Sequence, residues 1–120
     1  MKPSHVLVVS PDEDERSSLY ALLDQCGYSV GTCGSELDAL HYIARRHPDV
    51  VLSALPLLDV VDHEFARMLK EVAPQARVVL LADSGEWPLF FDAIESGGDD
   101  LVSKPARQSD VLRAVAAVGA

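Results

Sequence analysis

The residues Val50-Val51-Leu52 constrain this chain more than any other stretch. They form an uninterrupted apolar run, entered through Pro48-Asp49 and left through Leu55-Pro56. A run this short between turn formers is a strand covered on both faces, as in the middle of a parallel sheet. Two further runs have the same character, His5-Val6-Leu7-Val8-Val9 and Arg77-Val78-Val79-Leu80-Leu81-Ala82. Strands buried on both sides need helices above and below, joined by right-handed crossovers. In such open sheets the functional groups gather outside the carboxyl ends of the strands. The carboxyl end of the central run is Ala54, a methyl group that can do no chemistry.

The segments between the runs read as helices. Ser10-Pro11-Asp12-Glu13 is a start signal, with Ser10 as N-cap, Pro11 at the first helical position and Glu13 closing a Ser-x-x-Glu box. The acids from Asp12 to Glu15 then lie in the first turn, where the helix dipole favours them. Leu19, Leu22, Leu23 and Cys26 make one apolar face, and Gly27 ends the helix. Residues 28–33 are a weaker strand, nearer an edge. Ser35 caps a second helix with Leu37, Leu40 and Ile43 inward and Ala44 beside them, ended by Arg45-Arg46-His47 and Pro48. Asp62 caps a third helix with Phe65, Met68, Leu69 and Val72 on its apolar face, stopped by Pro74. A fourth helix is predicted from about residue 87 to 96, then Gly97-Gly98, a short strand Asp100-Leu101-Val102-Ser103, and a last helix burying Val111, Leu112, Val115 and Val118. Strand and helix alternate five times, with no repeat or linker, so residues 1–120 read as one domain.

Composition excludes several classes. A formal net charge of −9 repels phosphate backbones and anionic bilayers, so neither nucleic acid nor membrane is an expected direct partner. No apolar run approaches the ~18 residues of a membrane span, and the first residues lack the layout of a signal peptide, so a cytoplasmic location is expected. Cys26 and Cys33 make neither a disulfide framework nor a zinc site, and His5, His41, His47 and His63 show no ligand spacing.

Taken in order, five pieces of this chain resemble the receiver domain of bacterial response regulators. They are Val6-Leu7-Val8-Val9, Gly27-Tyr28-Ser29-Val30, Pro48-Asp49-Val50-Val51-Leu52, Val78-Val79-Leu80-Leu81, and a closing Gly97-Gly98-Asp99-Asp100-Leu101-Val102-Ser103-Lys104-Pro105. The resemblance implies a flavodoxin-like α/β fold, a (βα)5 three-layer sandwich with a five-stranded parallel sheet in the order 2-1-3-4-5. It also implies a phosphoryl group taken from a histidine kinase onto an aspartate at the end of strand three. That chemistry needs a carboxylate nucleophile, an acidic pair holding Mg²⁺, a Thr or Ser hydroxyl after strand four and a lysine after strand five.

The match fails at those positions. Ala54 stands where the acceptor belongs and Ala82 where the hydroxyl belongs. Ser10 and Pro11 replace the acidic pair, with only Asp12 following, while Lys104 and Pro105 are kept. Leu101 takes the place of the aromatic residue that usually swings on activation. The expectation is a pseudo-receiver, not an enzyme, with Mg²⁺ binding lost or very weak and a vestigial pocket of Asp12, Ala54, Ala82, Asp83, Lys104 and Pro105. Ser53, alternating with Ala54, points away from that pocket. The expected function is a phosphorylation-independent signalling domain acting by protein–protein contact, with another protein or with itself. Its candidate face is made by the 87–96 helix, the fifth strand and the last helix, where Trp87, Phe90, Phe91 and Leu101 supply apolar anchors. Two alternatives stay open: a phosphoryl-accepting receiver using another acid such as Asp59, and a small-molecule sensor using the vacated pocket.

Overall fold

The computed structural model describes residues 5–54, 62–82, 99–103 and 107–116. In chain order its elements are β1 (His5–Val9), α1 (Glu13–Gln25), β2 (Ser29–Cys33), α2 (Glu36–Arg46), β3 (Val50–Ala54), α3 (Asp62–Val72), β4 (Arg77–Ala82), β5 (Asp100–Ser103) and α4 (Gln108–Ala116). The strands form one sheet in the order β2-β1-β3-β4-β5, every pair parallel. The flavodoxin-like order expected for the first four strands is therefore present. The helix expected over 87–96, Val118 and the loop with Asp59 lie outside the described residues.

Alternation along each strand divides the core in two. On one face, Val6, Val8, Val50, Leu52, Ala54, Val79, Leu81 and Val102 pack against Leu19 and Leu23 of α1 and Val111 and Val115 of α4. On the other, Leu7, Val9, Val51, Val78 and Leu80 pack against Ala39 and Ile43 of α2 and Leu69 of α3. Because both faces are covered, Val6 to Val9 and Val50 to Leu52 are wholly buried, which is why these strands read as unbroken apolar runs. Among the described residues no helix is long and apolar enough to cross a membrane.

Two helix faces differ from the sequence expectation. In α2 the buried stripe is Glu36, Ala39 and Ile43 with Leu40 half-buried, while Leu37 is 59% exposed and Ala44 is exposed. The small Ala39 side chain, wholly buried, lets the helix lie close to the sheet, and that contact rotates Leu37 outward. In α3 Leu69 is buried, but Val72, in the last turn, is 52% exposed.

The acids of the Gly97-Gly98-Asp99-Asp100 stretch are structural. The Asp99 carboxylate accepts the Val78 N–H at 2.8 Å and pairs with Lys70 at 2.6 Å. Lys70 also donates to the Ala76 carbonyl. Asp100 pairs with Arg77 at 2.9 Å, and the Arg77 Nε donates to the Ala114 carbonyl. These bonds tie α3, β4, β5 and α4 together at the entry to β4.

Candidate functional site at the carboxyl end of the sheet

The register brings the predicted positions to one end of the sheet. Val9 lies opposite Ser53, so Ser10 stands level with Ala54. Ala54 lies opposite Leu81, and Ala82 follows, opposite Ser103. Leu101 is placed in β5 opposite Leu80. Asp83, Lys104, Pro105, Trp87, Phe90 and Phe91 lie outside the described residues.

Ala54 is 2% exposed and belongs to the apolar cluster that holds Val6, Val8, Leu52 and Leu81. Ser53, wholly buried, alternates to the other face as expected, and its hydroxyl has no hydrogen-bond partner among the described residues.

The loop after β1 departs from the sequence reading. Ser10 is not the N-cap of α1, because its backbone N–H still bonds the Cys33 carbonyl at 3.1 Å and so prolongs the β1–β2 ladder. The cap is Asp12, in extended conformation, whose Oδ1 accepts the N–H groups of Asp14 at 2.9 Å and Glu15 at 3.1 Å. Pro11 consequently precedes the cap instead of opening the helix, and no box forms between Ser10 and Glu13. The wholly buried Ser10 hydroxyl donates to Glu15 Oε1 at 2.6 Å and accepts the Asp12 N–H at 3.1 Å. Asp12→Ala is expected to cost about 1 kcal/mol, the usual worth of an N-cap, measured by urea unfolding.

Sequence reasoning missed Arg16. Its guanidinium donates to the Ser10 carbonyl at 2.6 Å and lies over Gly34, where a Cβ would come within 3.2 Å of it. The only signal was a cation directly after four acids. Behind it, burial and then the nearby Asp38 raise the Cys33 thiol above its ordinary pKa, with Arg16 opposing. Burial thus disfavours the thiolate form of Cys33.

This doubly wound parallel sheet, with a short polar cluster at the carboxyl end of β1, defines a flavodoxin-like α/β domain. The family model for the response regulator receiver domain matches residues 6–116, and the chain belongs to that family. It is 30% identical over 107 residues to the transcriptional regulatory protein YxdJ of Bacillus subtilis, covering 89% of this chain and 46% of that protein. It is 23% identical over 111 residues to the chemotaxis protein CheY of Thermotoga maritima, covering 92% of each. A putative response regulator from Chloroflexus aurantiacus superposes with a TM-score of 0.89 at 21% identity over 98% of both chains, a likeness of fold. The chain spans less than half the length of the first curated relatives it matches.

Proposed function

We propose that this chain is a receiver domain that signals by protein contact, without phosphoryl transfer. The observation that carries this reading is Ala54: the acceptor position holds a methyl group, 2% exposed and packed among Val6, Val8 and Leu52. No acyl phosphate can form there. The neighbouring residues do not fit Mg²⁺ either. That ion needs several oxygen ligands around it. After β1 it would find a buried serine hydroxyl already bonded to Glu15, a proline, and one carboxylate whose Oδ1 already caps α1. The Arg16 guanidinium on the Ser10 carbonyl adds positive charge beside them. With alanine at 54 and 82 in place of the acceptor carboxylate and the hydroxyl, a switch depends on a partner that binds two states of the domain with different affinity. The 87–96 segment with Trp87, Phe90 and Phe91, together with Leu101, is the proposed partner face, and a net charge of −9 favours a protein there over nucleic acid.

An amide NMR titration with Mg²⁺, then beryllofluoride, then acetyl phosphate, followed by intact mass, tests the reading. Cross-peaks of Ser10, Asp12, Ala54 and Ala82 are expected to stay in place, with no gain in mass. A Mg²⁺-dependent shift with one added phosphoryl group would overturn it, and peptide mapping would then locate the acid, Asp59 first. Thermal stabilisation by a small anion in a ligand screen would instead favour the sensor reading.

A further inference from the structure

A feature independent of the phosphorylation reading is the edge of the sheet at β2. Among the described residues β2 ends the sheet, with β1 its only neighbour. The Cys33 carbonyl accepts from Ser10, so the peptide groups of Cys33, Gly31 and Ser29 turn toward β1. Alternation turns the N–H and C=O of Val30 and Thr32 outward. Edge strands are ordinarily guarded by a charge, a proline or a bulge. Ser29-Val30-Gly31-Thr32-Cys33 has neither charge nor proline, and its register with β1 runs without interruption.

Grooves flank this edge on both sides. On the α2 side a groove of about 440 Å³ is lined by Asp38, His41, Tyr42 and Arg45 with Thr32 and Cys33. On the α1 side a second, of about 320 Å³, is lined by Ser17, Tyr20 and Thr32. Two large apolar side chains are exposed beside them, Tyr20 at 45% and Leu37, one turn before His41 on the same side of α2.

Charge selects the occupant. The helix flanking the edge exposes Asp38 in its first turn and Arg45 and Arg46 in its last, while Glu36 is buried. Its middle is fixed over the middle of β2, because Tyr42 lies against Gly31, where a Cβ would come within 2.2 Å of the Tyr42 hydroxyl. We propose that two copies of this chain pair antiparallel through their β2 edges, about a twofold axis beside Gly31. Val30 then exchanges both its backbone bonds with Thr32 of the second copy, and the reverse. The same axis passes the middle of α2, so Asp38 of each copy faces Arg45 of the other. A helix whose ends carry opposite charge is self-complementary only in this antiparallel sense. The net charge of −9 on each copy opposes association at low salt, but at about 0.15 M the Debye length is only ~8 Å. Contacting pairs survive that screening better than the overall repulsion does.

Sedimentation velocity of the chain from about 10 µM to 1 mM at about 0.15 M salt tests the proposal. The mass is expected to rise from 13.0 kDa toward twice that value. Thr32→Pro removes an outward N–H that β1 does not use and is expected to abolish the rise, its circular dichroism melt showing whether the fold is kept. Arg45→Glu places like charges opposite each other and should weaken the dimer about tenfold or more. Asp38→Arg combined with Arg45→Glu should restore it. If Thr32→Pro does not fold, the two charge variants decide. A mass of 13.0 kDa at every concentration overturns the proposal, as does a dimer undiminished by Arg45→Glu.

Discussion

Replacing Ala54 by aspartate is expected to destabilise the domain by about 3 kcal/mol and to leave it unphosphorylated. The substitution introduces the residue type that the resemblance puts at this position, but into an apolar cluster. Ala54 is 2% exposed in an apolar cluster with Val6, Val8, Val50 and Leu52. A carboxylate there loses most of its water, and the polar groups described just after β1, the Ser10 hydroxyl and Asp12 Oδ1, are occupied by Glu15 and by the cap of α1. Desolvation raises the folded-state pKa of the new aspartate above its ordinary value of ~3.9. A raised carboxyl pKa means that the folded state binds more protons than the unfolded state. The loss is therefore smallest below about pH 4 and grows as the pH rises toward the folded pKa. Urea unfolding at pH 4 and at pH 7 would show this, with a melting temperature at pH 7 lower by about 10 °C. Intact mass after incubation with acetyl phosphate and Mg²⁺ should not change. A stable variant that gains one phosphoryl group would mean that the pocket still holds working parts.

Gly31→Ala is expected to cost about 2 kcal/mol, unusually much for one methyl group on an edge strand. The new Cβ would lie 2.2 Å from the Tyr42 hydroxyl oxygen and 2.5 Å from Cζ, so the ring has to leave. It leaves a built arrangement. The Tyr42 hydroxyl bonds His5 Nε2 at 2.6 Å, and the two rings stack with centroids 5.6 Å apart. His5 Nδ1 lies 3.1 Å from the Ser29 carbonyl, which fixes the imidazole from its other side. Displacing Tyr42 therefore unlocks the first residues of both β1 and β2. Tyr42→Phe keeps the ring and loses the hydroxyl, and should cost about half as much. Urea unfolding of both variants, with the His5 imidazole shifts followed by NMR, separates the steric effect from the lost hydrogen bond.

The central strands were legible because burial on both faces leaves unbroken apolar runs, and Val6 to Val9 and Val50 to Leu52 are buried throughout. The place of Ala54 at the carboxyl end of β3 was legible as well, since register follows from counting along the strand. Three features were hidden for physical reasons. Ser10 and Asp12 are both good cap residues, and the choice between them depends on how far the ladder with β2 extends, a tertiary fact. Leu37 has the stronger apolar side chain, yet Ala39 faces the sheet because small residues set how closely a helix can approach. The Arg16 bond to the Ser10 carbonyl needs the end of β1 and the first turn of α1 to be folded against each other before it exists.

The ties at the entry to β4 decide how the far side of the sheet can open. Asp99 and Asp100 bolt the beginning of β5 to Val78, Lys70 and Arg77, whereas from Leu101 to Ser103 the strand is held on its sheet side by its ladder with β4. β5 is therefore tied most firmly at its first residues, with Val102 held in the core behind them. Peeling that starts at Ser103 and runs backward breaks one rung at a time, while release from Asp100 has to break two ion pairs at once. Load applied beside Ala82 thus meets the ladder alone, whereas load applied at Asp100 meets the ladder and the ion pairs together.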